Sequence, residues 1–156
     1  MKLTTLCYIE NENEEYLMLH RVKKQNDINK DKWIGIGGKL EEGETLDQCL
    51  LREAKEETGL TLTSYRYRGI VDFSSDIYED EEMHLYTADG FDGELAECDE
   101  GNLEWVDRTD LYNLTLWEGD KLFLSLLMAD ADFFNMTVQY KGDKLVSATV
   151  NGEKLF

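Results

Sequence analysis

The sequence predicts an α/β fold, a single domain over residues 1–156 in which helices pack on a mixed β-sheet. Several short runs concentrate apolar residues as strands do, and two longer stretches repeat them at helical spacing. The two kinds are mixed along the chain without strict alternation. Hydrophobic residues make up 42% of the chain and aromatic residues 11%, which suffices for one core and argues against disorder.

The elements follow in order. Residues 3–9 and 16–20 read as strands, with the polar turn Asn11-Glu12-Asn13 between them. Residues 23–32 form a charged loop, and the glycine-rich WIGIGG of residues 33–38 favours close backbone approach over side-chain packing. Residues 45–58 are the clearest helix. Thr45 with Gln48 makes a capping box, Leu46, Cys49, Leu50 and Ala54 recur at helical spacing, and Gly59 is the C-terminal stop. Residues 65–73 and 83–91 read as longer strands and 103–106 as a shorter one. Residues 117–128 suggest a second helix with Leu122, Leu126 and Leu127 on one side. Residues 134–140 and 145–150 flank Lys141-Gly142-Asp143-Lys144 as a terminal hairpin.

With 16 basic and 34 acidic side chains the formal net charge is -18, which disfavours a nucleic-acid polymer or an anionic membrane as partner. A small phosphorylated ligand remains open if metal ions bridge the two sets of negative charge. Cys7, Cys49 and Cys98 lie far apart, against both a disulfide framework and a zinc site. There is no signal-like N-terminus and no apolar stretch near the roughly 20 residues of a membrane helix, so a cytoplasmic location is expected. No repeat, linker or apolar interface stripe stands out, and a monomer is the default expectation.

The informative segment is Arg52-Glu53-Ala54-Lys55-Glu56-Glu57. At about 100° per residue Glu53, Glu56 and Glu57 fall on one side of the helix, nearly continuing the stripe of Leu46, Cys49 and Leu50. Nothing local favours this. Glu53 and Glu57 are like charges at i, i+4, and all three acids sit toward the helix C-terminus, where the macrodipole disfavours anions by roughly 0.3–1 kcal/mol each. Arg52 points more to the flank, where Glu56 or Glu44 is within its reach. Three clustered carboxylates are what a hard divalent cation such as Mg2+ takes. An acid triplet alone, however, is more often a solvated face.

Its setting changes that. The stretch from Gly38 to Leu60 resembles the Nudix box over its whole length, with Gly38, Glu44, Arg52-Glu53, Ala54, Glu56-Glu57, Gly59 and Leu60 meeting the family's pattern in type and spacing. The resemblance implies the Nudix fold, an α/β/α sandwich with a mixed β-sheet, holding Mg2+ with Mn2+ as a substitute. It assigns Glu53, Glu56 and Glu57 to the metal, with the carbonyl of Gly37 or Gly38 as a further ligand. Glu44 and Arg52 brace the loop against the helix. More loosely, the chain is similar to the branch that hydrolyses oxidised purine nucleoside triphosphates. Glu100 then supplies an acid outside the box, near the metal or the attacking water, and Trp117 and Asp120 help hold the base. Two positions depart from that branch: Ile34 stands where its animal members carry an asparagine, and Gly119 where they carry the first of two adjacent aspartates.

The expected reaction is Mg2+-dependent hydrolysis of a nucleoside triphosphate, such as 8-oxo-dGTP, to the monophosphate and pyrophosphate. Glu57, Glu53 or Glu100 is the candidate base, Lys23 or Lys24 a candidate phosphate contact, and Phe73 and Met83 join Trp117 in lining the base. Aromatic and methionine residues are as often core, and His20 and His84 lack metal-ligand spacing. Two rival classes stay open: a Nudix pyrophosphatase acting on ADP-ribose or another nucleoside diphosphate derivative, and a nucleotide-sensing module without turnover. A glycosidase-like carboxylate pair is excluded because the acids share one helix.

Overall fold

The computed structural model describes residues 1–24 and 26–156; Gln25, within the charged loop, lies outside the described residues. Strands β1 (Lys2–Ile9), β2 (Glu15–His20), β3 (Trp33–Ile34) and β4 (Ile36–Lys39) precede helix α1 (Leu46–Thr58). Strands β5 (Thr61–Ser75), β6 (Glu81–Asp92) and β7 (Asn102–Asp107) lead through a 3-10 turn, Arg108–Asn113, to helix α2 (Glu118–Met128). Strands β8 (Phe134–Lys141), β9 (Lys144–Val150) and β10 (Glu153–Lys154) follow. The 3-10 turn and β10 were not expected, because neither is long enough to show a period.

Seven strands form one mixed sheet in the order β10-β9-β8-β5-β6-β1-β4, and β3-β2-β7 form a second. The pairs β1–β6 and β5–β8 are parallel; the others are antiparallel. Alternate residues serve opposite layers, as the two-residue period of a strand requires. Cys7, Ile9, Leu17 and Leu19 pack in one cluster with Leu50 and Ala54 of α1, whereas Tyr8, Tyr16 and Met18 pack in another with Phe123, Leu124 and Leu127 of α2. Both sheets thus lie between the two helices. Each fully buried leucine contributes about 1.5–3 kcal/mol to that arrangement.

In α2 the buried residues are Gly119, Asp120, Phe123, Leu124 and Leu127, while Leu122 and Leu126 are only partly buried. The helix is therefore rotated from the expected Leu122–Leu126–Leu127 face, because the stripe carrying Phe123 fills more of the space above the sheet. In β4, Gly37 pairs with Leu6 of β1, and a Cβ there would overlap the Thr5 carbonyl. This is the close approach that the glycine-rich segment predicts. No helix among the described residues is long and apolar enough to cross a membrane.

Candidate active site

Helix α1 presents the acids, and its ends are fixed locally. Thr45 Oγ1 accepts from the Gln48 N–H at 3.1 Å while Gln48 Oε1 accepts from the Thr45 N–H at 2.9 Å, and Gly59 closes the helix at φ 81°. Burial of Cys49, Leu50 and Ala54 then sets the rotation of the last turn. That rotation grades the three carboxylates. Glu57 is buried at 8% exposure, the Glu53 side chain is 15% exposed, and the Glu56 side chain is 59% exposed.

Glu57 Oε2 is buried with no hydrogen-bond partner among the described residues. Burial first, then the negative charge of Glu100 and Glu53, pushes its pKa up to about 9. Burial also raises Glu53, although the neighbouring Arg52 pulls it the other way. The Glu53 carboxylate lies directly on Gly38: a Cβ at position 38 would stand 2.6 Å from Glu53 Cδ.

Arg52 does not stay on the flank. Its Nε donates to Glu44 Oε2 at 2.7 Å and its Nη2 to Glu44 Oε1 at 3.0 Å, a bidentate pair joining the loop to the helix. Its Nη1 also donates to Glu53 at 2.7 Å and to Glu56 at 3.1 Å. The long arginine stem lets one guanidinium reach across the acid stripe. Hydrogen bonds from Arg52, then from the Glu41 N–H, hold Glu44 down to about 2.

Glu100 comes from the loop before β7. The β2–β7 pairing sets His20 against Asn102, which brings Arg21 beside it. Arg21 Nη1 donates to Glu100 Oε2 at 3.0 Å, Lys24 Nζ to Glu100 Oε1 at 3.0 Å, and Arg21 Nε to Asp27 at 2.6 Å. Among the described residues no three acidic, histidine or cysteine side chains already converge as a metal-ligating group. Arg52, Arg21 and Lys24 engage their oxygens instead. The donor set itself suits a hard divalent cation: carboxylates with one oxygen buried and unpartnered, beside a glycine backbone stripped of side chains.

A cleft of about 200 Å³ opens beside these groups. Gly37 and Gly38 line it, as do Phe73, Met83, Trp117 and Asp120, so four expected base-lining residues meet in one place. Ile34 and Gly119 line it too, contributing no polar side chain. Trp117 Nε1 donates to Asn29 Oδ1 at 2.7 Å, and Lys32 Nζ lies 4.4 Å from the indole centroid. Asp120 is pushed up to about 8 by burial, with Glu81 adding to the shift and Lys32 opposing it. Its place in the first turn of α2 favours an anion, but burial outweighs that. Lys23 is not brought to the cleft. Its Nζ donates to the Cys98 carbonyl at 2.7 Å and lies 3.9 Å from Glu97, because the loop folds back toward residues 97–100. Cys49 is buried, and burial raises its thiol pKa, as expected of an inert cysteine.

Sequence reasoning missed Arg21, Asn29 and Tyr140, all of which line the cleft. For Arg21 the signal was a cation at the end of an apolar strand. For Tyr140 it was the strict alternation of β8, which places it on the inward face with Phe134, Met136 and Val138. Asn29 lies in a loop and carries no such signal.

The chain belongs to the NUDIX domain family, whose sequence model matches residues 2–127. It is therefore a Nudix hydrolase, an enzyme acting on acid anhydrides of nucleotide derivatives in a family that generally uses divalent metals. It is 35% identical over 112 residues to an oxidized purine nucleoside triphosphate hydrolase of Danio rerio, covering 70% of this chain and 71% of that protein. An uncharacterized Nudix hydrolase of Bacillus subtilis, YvcI, is 31% identical over 113 residues, covering 69% of this chain and 72% of its own. Among solved structures, a MutT protein from Bacillus halodurans superposes with a TM-score of 0.86 at 24% identity, covering 98% of this chain and 99% of that one.

Proposed function

We propose that this protein hydrolyses a nucleoside triphosphate, an oxidised purine such as 8-oxo-dGTP being the leading substrate, to the monophosphate and pyrophosphate with Mg2+. One observation carries the reading: a single cleft runs from an aromatic wall, Trp117 and Phe73, to the glycine backbone on which Glu53 rests. The name of the Danio rerio relative supports the substrate class.

Glu53, Glu56 and Glu57 would hold the metal, with the Gly37 or Gly38 carbonyl and Glu100 as further ligands. A divalent cation bound there supplies Lewis-acid chemistry, offsetting phosphate charge and making water easier to deprotonate. The chain's own groups do the rest. Arg52 fixes Glu53 and Glu44 in one hydrogen-bonded frame, and Arg21, which lines the cleft, holds Glu100 together with Lys24. Lys2, Arg21 and Lys39 line the cleft; Lys2 is paired with Glu81 and Arg21 with Asp27 and Glu100, so Lys39 is the cation best placed to meet phosphates in a protein of net charge -18. Trp117, Phe73 and Met83 would line the base, and Asp120 would meet its polar edge. Water attacks the β-phosphorus in line, the nucleoside monophosphate leaves, and Glu57, Glu53 or Glu100 takes the proton.

The test is a magnesium-supplemented nucleotide panel comparing the native protein with Glu56→Gln plus Glu57→Gln. Pyrophosphate released by the native protein alone, with oxidised purines preferred, supports the reading, and equal activity in both proteins overturns it. The absence of polar side chains at Ile34 and Gly119 favours one second reading, a pyrophosphatase of nucleoside diphosphate derivatives such as ADP-ribose. Two monophosphates as products would select it.

A further inference from the structure

Position 119 has no side chain, yet the cleft wall there is not bare. A Cβ at Gly119 would stand 2.7 Å from the Tyr140 Oη and 3.2 Å from Val138 Cγ1. The tyrosine hydroxyl therefore fills the volume that a side chain at 119 would need.

Its ring is held on the cleft's inner wall. The centroid lies 5.1 Å from Trp117 in an edge-on arrangement and 5.4 Å from Phe73, and the residue is 5% exposed. The hydroxyl oxygen accepts a hydrogen bond from the Gly119 N–H at 2.7 Å. This fixes the oxygen but leaves its own hydrogen to donate, and no acceptor for it occurs among the hydrogen bonds of the described residues. Tyr140, Gly119 and Asp120 line the same cleft. On the cleft wall that hydrogen is available to an acceptor on a bound ligand.

We propose that the Tyr140 hydroxyl is a specificity-determining contact, donating a hydrogen bond to a carbonyl oxygen or unprotonated ring nitrogen on the edge of the bound base. The proposal rests on the nucleotide reading above and deepens it. The backbone of α2 positions the hydroxyl through Gly119, so a residue on β8 reads the base in place of a side chain at 119.

The test measures magnesium-dependent hydrolysis by native protein and Tyr140→Phe. The panel comprises purine nucleoside triphosphates and counterparts in which one acceptor is deleted, a carbonyl removed or a ring nitrogen replaced by C–H. Tyr140→Phe is expected to raise KM about tenfold for the preferred base, with kcat changed by no more than about twofold. One acceptor deletion should cost the native protein a similar factor and cost the variant nothing further. A uniform loss on every base, as a structural role would give, or no loss at all, overturns the proposal. If Tyr140→Phe fails to fold, the deletion series on the native protein decides, and the absence of any sensitive acceptor overturns it. A native protein that turns over no nucleotide overturns the functional reading itself.

Discussion

The Glu53 carboxylate rests against the α-carbon of Gly38, so near that a methyl group there would lie 2.6 Å from its Cδ. Gly38→Ala must therefore push Glu53 off its 2.7 Å contact with Arg52. The clash falls on the far end of a flexible side chain, which rotates away at little cost to the fold. The expected result is a folded protein by circular dichroism, a melting temperature close to that of the native protein, and hydrolysis reduced at least about tenfold through misplacement of the acid.

Glu57 is buried with an orphaned oxygen, an arrangement that disfavours the folded state when no cation is bound. Glu57→Gln is expected to leave the metal-free protein at least as stable as the native one while lowering hydrolysis by roughly 100-fold or more. Thermal melts in chelator, paired with a pyrophosphate-release assay, check both halves. Loss of stability together with loss of activity would contradict the functional assignment.

Asp120 gives a pH signature independent of the metal. Its pKa is raised from 3.8 to about 8 in the folded protein, so folding takes up a proton between those values. The sign follows: this contribution to stability is fully present below pH 4 and is lost as pH rises through 8. Asp120→Asn is expected to flatten the decline between pH 5 and 9 by an amount on the order of a few kcal/mol. Urea denaturation across that range in chelator is the measurement.

Gly119 and Tyr140 compete for one volume. Gly119→Ala alone is expected to destabilise by about 1–3 kcal/mol, since its Cβ meets the hydroxyl oxygen at 2.7 Å. In a Tyr140→Phe background the penalty should shrink, giving a coupling energy of about 0.5–3 kcal/mol in a double-mutant cycle. Additive effects would contradict the contact.

The helix bearing the acids was legible because its signals are local. Thr45, Gln48 and Gly59 announce its ends, and the stripe from Cys49 to Ala54 announces its buried side. The gradation among the acids was less legible. A helical wheel places Glu56 beside Glu57, but the 100° between them is the difference between solvent and interior. The roles of Arg21 and Lys24 were not legible at all, because the β2–β7 register that sets them against Glu100 is a long-range pairing. The face of α2 was misjudged for a related reason: counting leucines overlooks Phe123, whose bulk decides which side meets the sheet.

The hairpin β8–β9 has one further consequence. Val138 and Tyr140 line the cleft but lie beyond residue 127, where the match to the family's sequence model ends, whereas Glu53, Glu57, Glu100, Phe73 and Trp117 all lie within it. One patch of the cleft wall therefore belongs to a different length of polypeptide from the carboxylates. Evolution or an engineer can exchange that patch without rewriting the acids. A graft of a relative's hairpin onto this chain would reshape one side of the cleft and leave the Trp117–Phe73 face and the carboxylates with their host.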